Sequence, residues 1–184
     1  MNLETNENLL SWARSHYFGK YRGTVTDNQD PTNRGRIKVS VPSVLPGAEL
    51  WAMPCVPYAG DQVGFYFMPA VGAGVWIDYE AGDPSYPVWT GCFWADNEIP
   101  DQGGPAIKIL KTEKITIRID DDNDEIVIST TSGSKITLAS DIKSESGEAT
   151  HTVGSAGVSS EKGSGKVEVT DSSVKINSGA FEVI

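Results

Sequence analysis

Residues 107–138 read IKILKTEKITIRIDDDNDEIVISTTSGSKITL, and this stretch decides the architecture of the C-terminal half of the chain. Aliphatic residues alternate with polar ones in short runs, and turn-forming segments such as DDDND and TTSGS separate the runs. A period of two indicates strands with one apolar face, and no helical period accompanies it. The alternation returns at 167–183, after a weaker stretch at 143–165. The sequence therefore predicts a ribbon of short strands over residues 107–184.

Such a ribbon is a poor candidate for folding alone, because one apolar face and few pairing partners must offset the entropy lost on ordering the backbone. This difficulty is removed if identical strands from neighbouring chains pair with the ribbon and the apolar faces of three chains point at a shared axis. We therefore predict an intertwined trimeric β-helix or β-prism. A disordered tail is the alternative, since Ser, Gly, Lys and Glu are also typical of disorder. The residues predicted to point at the axis are Ile107, Ile109, Ile115, Ile117, Ile119, Ile126, Ile128, Ile136, Leu138, Val167, Val169, Val174 and Ile176.

The N-terminal half differs in composition, since all five Trp, all six Tyr and four of the five Phe lie before residue 95. Residues 1–18 contain a helical candidate. Turn clusters then separate short strand candidates at 21–26, 36–41, 51–56, 63–68, 75–80 and 88–94. This spacing predicts a small aromatic-rich barrel over residues 19–94, in an otherwise all-β chain. Residues 95–106, ADNEIPDQGGPA, are the predicted linker.

The charge pattern argues against a nucleic-acid partner. The 184-residue chain carries a net charge of −10, and no cluster of Lys and Arg offers a site for a phosphate backbone. The acidic N-terminus lacks the features of a signal peptide, and no run is apolar enough for a membrane helix, so we expect assembly in the cytoplasm. Cys55 and Cys92 could form one disulfide, but in the cytosol buried free thiols are the commoner outcome.

Residues that could carry chemistry are few, and we predict no enzyme activity, metal site or cofactor. Asp120 to Glu125 could bind a hard cation, but as a turn between two strands they need none. Asp78 and Glu80 could act as an acid/base pair, although acids on a solvent-facing strand are commoner. Neither histidine, His16 or His151, lies in a catalytic motif. Four tryptophans could form a base- or sugar-stacking platform, or else core and inter-barrel contacts: Trp51, Trp76, Trp89 and Trp94.

Several motifs in residues 17–94 occur together and in order. They are Asp30-Pro31 before Gly35-Arg36, Pro69 with Gly72 before Gly74-Val75-Trp76, and Gly82-Asp83-Pro84 with Pro87. In this combination the segment resembles the phage baseplate assembly protein V family, which includes central spikes of contractile injection systems and is related to type VI secretion spikes. SGSKITL at 132–138 also resembles the start of the spike β-helix in that family.

The resemblance implies an OB-fold barrel and a trimeric spike that docks onto a baseplate hub at the end of the tail tube. It also implies that contraction force passes through the β-helix to pierce a target envelope, which the spike contacts transiently. A tip protein of the PAAR-repeat type often caps such spikes, and the apolar ending formed by Phe181, Val183 and Ile184 fits a capped end. Residues 95–106 are too few for the lysozyme domain of some relatives, and the His-x-His motif of self-made metal tips is absent.

We therefore predict a structural, homotrimeric central spike in a virion tail or injection particle. Two alternatives remain at this stage. One is a barrel that binds an oligosaccharide or a single-stranded nucleic acid and carries a flexible tail. The other, an envelope-degrading enzyme, has the least support, because no catalytic arrangement is evident in the sequence.

Overall fold

The computed structural model describes residues 3–101 and 104–184 and divides the chain into two compact units. The first unit ends at Glu98, and the second extends from Ile99 to Ile184. The boundary falls inside the predicted linker at 95–106, of which residues 102 and 103 lie outside the described part of the chain.

The first unit contains the helix α1 (Leu3–Ser15) and a closed five-stranded barrel. The barrel strands follow the order β1-β2-β3-β7-β6, in which β3 and β7 run parallel and the other neighbours antiparallel. This is the topology of an OB-type barrel, as predicted. The strands of this unit are β1 (Tyr21–Asp27), β2 (Ile37–Ser40), β3 (Glu49–Pro54), β4 (Ala59–Gly60), β5 (Val63–Gly64), β6 (Gly74–Tyr79) and β7 (Pro87–Phe93).

The barrel buries its apolar side chains because every second residue of its strands points inward. On β6 the alternation is complete, with Val75, Ile77 and Tyr79 buried and their neighbours half-buried. The side chains of Ile37 and Ile77 are fully inaccessible to solvent. Burial also raises the pKa of Tyr79 to about 12, because the ionised phenolate would lose its hydration.

One predicted barrel strand is wrong. Residues 63–68 are apolar, and we expected a buried strand, but only Val63–Gly64 pair, in a two-residue hairpin with Ala59–Gly60. Phe65, Tyr66 and Phe67 are exposed. Periodicity cannot distinguish a buried strand from an apolar loop of this length, because both consist of a short continuous apolar run.

The second unit is one antiparallel sheet of ten strands in chain order. Each inner strand pairs with the strands before and after it, and each end strand pairs with one neighbour, so the tail is ordered and the expectation of a disordered tail is wrong. The strands are β8 (Ile107–Lys111), β9 (Ile115–Asp120), β10 (Glu125–Thr130), β11 (Lys135–Leu138), β12 (Ile142–Ser146), β13 (Ala149–Gly154), β14 (Gly157–Lys162), β15 (Gly165–Val169), β16 (Val174–Ile176) and β17 (Phe181–Val183).

The pairing within the chain bears on how three copies could associate. The eight inner strands, β9 to β16, have both backbone edges occupied by their own chain. Their ladder hydrogen bonds therefore need no strand from another copy, although we had expected strands of neighbouring chains to pair. The side chains of the sheet remain available for contact with other copies. The trimer itself stays a prediction.

Candidate assembly surfaces

The register of the sheet places most of its aliphatic residues on one side, here called the apolar face. Residues directly opposite each other in a ladder point to the same side. One row of opposed residues crosses nine consecutive strands without a polar member: Ile119, Ile126, Leu138, Ile142, Val153, Val158, Val169, Val174 and Val183. A parallel row contains Leu110, Ile117, Ile128, Ile136, Ser144, His151, Ser160, Val167, Ile176 and Phe181.

The apolar face is open in the single chain. Most of its large side chains are between 37% and 60% exposed, from Ile126 and Ile128 at the lower end to Phe181 at the upper, and Ile117 and Val158 are half-buried. Scattered exposed aliphatic residues are normal on a soluble protein, but a contiguous apolar patch across a whole sheet marks an interaction surface. The face therefore requires a cover that this unit does not supply.

Eleven of the thirteen residues predicted to point at an axis lie on the apolar face. Ile107 and Ile109 do not, because β8 pairs Ile107 with Asp120 and Ile109 with Arg118, on the opposite side of the sheet. Both β8 and β9 alternate, but the turn between them sets their relative register, and a shift of one residue reverses the faces. Leu110 lies on the apolar face instead, opposite Ile117.

Sequence reasoning also missed Ile142, Val153 and Val158 on this face. They lie in or beside the stretch at 143–165, where polar residues outnumber aliphatic ones. Each of them occupies, on its own strand, the position that belongs to the uninterrupted row. The signal was the spacing between these isolated aliphatic residues and the turns, and it can be read only once the turns are known.

The opposite side of the sheet is mostly polar and carries ion pairs, some within one strand and some between neighbouring strands. Lys175 Nζ lies 3.1 Å from Glu182 Oε1, and Lys166 Nζ lies 2.7 Å from Glu168 Oε1. Lys143 lowers the pKa of Glu145 through a 2.8 Å hydrogen bond. Exposed pairs of this kind add little stability. They identify this side as the one that faces water.

The end of the chain forms an exposed edge of the sheet. β17 pairs with β16 only, so its outer backbone groups have no strand partner within this sheet. Phe181 and Val183 point to the apolar face and are 60% and 54% exposed, and Ile184 is 99% exposed. The predicted tip contact thus coincides with an edge strand, a feature that invites pairing with another chain.

In the barrel, the Asp30-Pro31…Gly35-Arg36 motif forms one hydrogen-bonded turn centred on a nearly buried carboxylate. Asp30 accepts hydrogen bonds from the backbone N–H of Thr32 and Arg34 at 3.0 and 2.8 Å, and from Arg36 Nη2 at 2.8 Å. The Arg36 guanidinium and these donors hold the pKa of Asp30 far below its ordinary value. Arg36 also lies over the Trp51 ring, 5.4 Å from its centroid. The motif is thus a structural turn that joins β1 to β2.

The Gly82-Asp83-Pro84 motif has a comparable structural role. Gly82 adopts a φ of +81°, and a Cβ there would lie 2.8 Å from the Phe18 ring, so a larger residue does not fit. Its carbonyl accepts a hydrogen bond from the Tyr17 N–H at 2.7 Å. Asp83 accepts one from the Ser85 N–H at 2.9 Å, which lowers the pKa of Asp83. The motif fixes the segment before β1 against the turn before β7.

The tryptophans do not share one environment. Trp89 is buried, and its Nε1 donates to the Gly35 carbonyl at 3.3 Å. Trp76 packs against Phe93, with ring centroids 5.0 Å apart, and Arg22 lies over both rings. Trp94 is exposed. Four more aromatic residues around β4 and β5 are exposed, and they are here called the hairpin aromatics: Tyr58, Phe65, Tyr66 and Phe67.

The candidate reactive groups lie apart from one another or are engaged in hydrogen bonds within the chain. Asp78 Oδ2 accepts a hydrogen bond from Lys20 Nζ at 2.9 Å. Asp120 organises the acidic turn, because it accepts from the N–H groups of Asp122 and Asn123 at 3.1 Å. Over residues 3–101 and 104–184, no group of three or more His, Cys, Asp or Glu side chains is placed to hold a metal. Cys55 and Cys92 are free thiols, and both are exposed, contrary to the expected burial.

Comparison with known proteins identifies the barrel. Residues 21–94 match the family model described as the type VI secretion system/phage-baseplate injector OB domain. The match covers the closed barrel from the start of β1 to the residue after β7. A search of curated proteins found no match to the chain. None of the helices in the described residues is long and apolar enough to span a membrane.

Proposed function

We propose that this chain is a homotrimeric central spike, because residues 21–94 match the model of the injector OB domain of type VI secretion systems and phage baseplates. That match supports a structural role related to the baseplate or spike. The finer proposal is that three copies dock onto a baseplate hub at the end of the tail tube. Contraction then drives the C-terminal sheets toward a target envelope.

The observation that carries this proposal is the apolar face. Nine consecutive strands present an uninterrupted row of aliphatic side chains on one side, and ion pairs occupy the other. A second and a third copy of the same face are suitable covers, because contacts repeated around a three-fold axis close into a ring and need no other partner. Three sheets arranged around an axis would bury all three faces and leave the charged sides in water.

This arrangement suits force transmission. Each inner strand is already hydrogen-bonded on both edges within its own chain, so the three sheets would associate through side chains alone. A close-packed interior resists compression, since packed aliphatic side chains cannot move past one another without opening voids. Stiffness, and no reaction, is then the property on which the function depends.

We further propose that a tip protein of the PAAR-repeat type covers the edge formed by β17. Phe181, Val183 and Ile184 supply the apolar contacts, and the outer backbone edge of β17 supplies hydrogen-bonding groups.

The hairpin aromatics are candidates for contact between barrels or with the hub, because four exposed aromatic side chains surround β4 and β5 in the segment that matches the OB-domain family. We expect the particle to assemble in the cytoplasm.

The test is the solution mass of the purified chain by light scattering, at micromolar concentration and again after dilution. A persistent mass of three times 19.8 kDa is the expected result, because buried apolar faces should separate slowly. A monomer at both concentrations would contradict the homotrimer and would redirect the search to a cover supplied by the hub.

A further inference from the structure

The helix α1 is exposed to solvent along its described side chains, although it belongs to the same compact unit as the barrel. Every residue from 6 to 15 is exposed, and the whole helix is 13 residues long. A helix of that length is marginal in water unless it packs against another element. The Trp12 ring stacks on His16 and lies near Phe18, with ring centroids 4.4 and 5.8 Å away. These contacts engage one side of the helix end, so the other side still requires a cover.

The side of α1 away from Trp12 presents an apolar residue between two opposite charges. Glu7, Leu10 and Arg14 follow one another at intervals of three and four residues, which places them on one side of a helix. All three line the same shallow surface groove, and Leu10 is 55% exposed. Among the described residues, neither Glu7 nor Arg14 takes part in an ion pair. This side therefore has an acidic end, an apolar centre and a basic end.

The barrel carries a groove of about 510 Å³ between the β1–β2 loop and the hairpin of β4 and β5. Arg34 lines it on the loop side, and Val63 and Tyr66 line it on the hairpin side. Val63 and Tyr66 are 52% and 78% exposed. Asp61 lies in the hairpin turn, between two residues that also line the groove. Within the described part of the chain neither Arg34 nor Asp61 has an ion-pair partner. The groove thus offers a base on one wall, an apolar floor and an acid on the other wall.

We propose that α1 of one copy docks into this groove on the barrel of the next copy. Leu10 enters the apolar part of the groove, Glu7 lies beside Arg34, and Arg14 lies beside Asp61. An amphipathic helix in an apolar groove is a common mode of recognition between proteins. The two charge pairs have opposite sense, so they fix the direction of the helix, because a reversed helix would bring like charges together.

This inference rests on the homotrimer proposed above and assigns the groove beside the hairpin aromatics to a contact between barrels. Helix and groove are different surfaces of one chain, so the contact is head-to-tail. Head-to-tail contacts repeated around a three-fold axis close into a ring in which each copy gives one helix and receives one. The three barrels would then be joined to one another independently of the apolar face of the sheet.

Disulfide cross-linking tests which copy receives the helix. Leu10→Cys and Val63→Cys are combined in the full chain, with Cys55→Ser and Cys92→Ser to remove the native thiols. The purified protein is oxidised and run on a denaturing gel without reductant. We expect a covalent trimer, because each copy is joined to one neighbour through its helix and to the other through its groove. The matched control replaces Val63→Cys with Tyr86→Cys, at an exposed residue that does not line the groove, and should run as a monomer.

Charge reversal tests the direction of the helix in the same cross-linking assay. Arg34→Glu should lower the yield of covalent trimer about fivefold at low salt, because it places two carboxylates side by side. Addition of Glu7→Arg to this variant should restore the yield, since the pair is then re-formed with its signs exchanged. A yield that the double reversal leaves low would overturn the assigned orientation.

Light scattering of the reduced samples separates this inference from the proposed function. A reduced trimer whose cross-link stays within one chain would overturn the exchange of helices while the spike proposal stands. The same holds for a trimer that cross-links equally well in the Tyr86→Cys control. A reduced sample that is monomeric would overturn both proposals.

Discussion

The barrel and the C-terminal sheet are built from strands of similar length with the same alternating pattern, and they differ in where their apolar side chains lie. In the barrel, the five strands β1, β2, β3, β7 and β6 close into a ring, and Ile37 and Ile77 are fully inaccessible to solvent. In the sheet, β8 to β17 stay open, and Ile136 and Leu138 remain about 40% exposed. Alternation thus predicts strands in both regions, whereas closure decides whether one chain can bury its own apolar face.

The difference also shows in what each region needs from its surroundings. The barrel has a core of ten buried apolar residues, so it meets the ordinary requirement for independent folding. Among its described residues the sheet has no comparable core, since the buried side chains there are the polar Asp120 and Ser173. We infer that the barrel folds within one chain and that the sheet acquires its core on assembly.

The strongest test of this difference between barrel and sheet is a charged residue on the apolar face. Leu138→Asp should weaken self-association at least about 100-fold, because three carboxylates would be buried around one axis. Light scattering should then give a monomer, while tryptophan fluorescence should still report a folded barrel. The matched control is Thr137→Asp, one residue earlier on the opposite side of β11, where it lies opposite Lys143 and should leave the mass unchanged. A Leu138→Asp protein that keeps its full mass would contradict the inward assignment.

A second pair of variants compares the two regions with one kind of substitution. Ile37→Ala removes a fully buried side chain from the barrel and should lower the free energy of unfolding by about 2–5 kcal/mol. Ile142→Ala changes a residue that is 50% exposed in one chain. If the face is covered on assembly, Ile142→Ala should lower the midpoint of trimer denaturation by a comparable amount. A negligible effect at Ile142, measured by urea denaturation, would mean that this face stays open to solvent.

The third prediction concerns pH and belongs to the barrel alone. Folding depresses the pKa of Asp30 below its ordinary value of 3.8, so its contribution to stability is complete above that value and is lost as the pH falls below it. The melting temperature of the barrel should therefore decrease below about pH 4. Asp30→Asn should lower it by roughly 5–10 °C at pH 7 and flatten the acid dependence. An unchanged acid profile in this variant would assign the sensitivity to other carboxylates.

The smallest expected effect is on the charged side of the sheet. Lys175→Ala removes the ion pair with Glu182 and should cost about 0–1 kcal/mol, because both groups are exposed to water. Thermal denaturation in low salt should show a small decrease that vanishes at high ionic strength. A large loss would indicate that this side of the sheet is also covered in the assembly, and the distinction between the two faces would then fail.

Part of the apolar face could be predicted from sequence, because alternation alone identifies which residues share a side once the strand is known. This places eleven of the predicted residues, between Ile115 and Ile176, on the apolar face, and their position at a trimer axis stays a prediction. It failed for Ile107 and Ile109, which share a periodic pattern with their neighbours but lie on the other side of the sheet. The phase of one strand against the next is set by the turn, and a single residue of difference reverses it.

The apolar run at 63–68 shows the same limit in the barrel. Its composition suited a buried strand, yet β5 ends at Gly64 and the hairpin aromatics are exposed. The family motifs were more informative than composition, because Asp30 and Gly82 each enforce a local geometry through hydrogen bonds or backbone conformation. Such requirements are local, so they can be recognised without knowledge of the tertiary fold.

By itself, the sequence determined the all-β class, the aromatic-rich barrel at 19–94 and the existence of an alternating ribbon after it, because these follow from local period, turn chemistry and motif. Only the tertiary structure decided that the ribbon forms ten strands in chain order, that Leu110 and not Ile109 joins the apolar face, and that Ser144, His151 and Ser160 meet in one row. Each of these depends on strand register, which is a relation between distant residues and is fixed by pairing across the whole sheet.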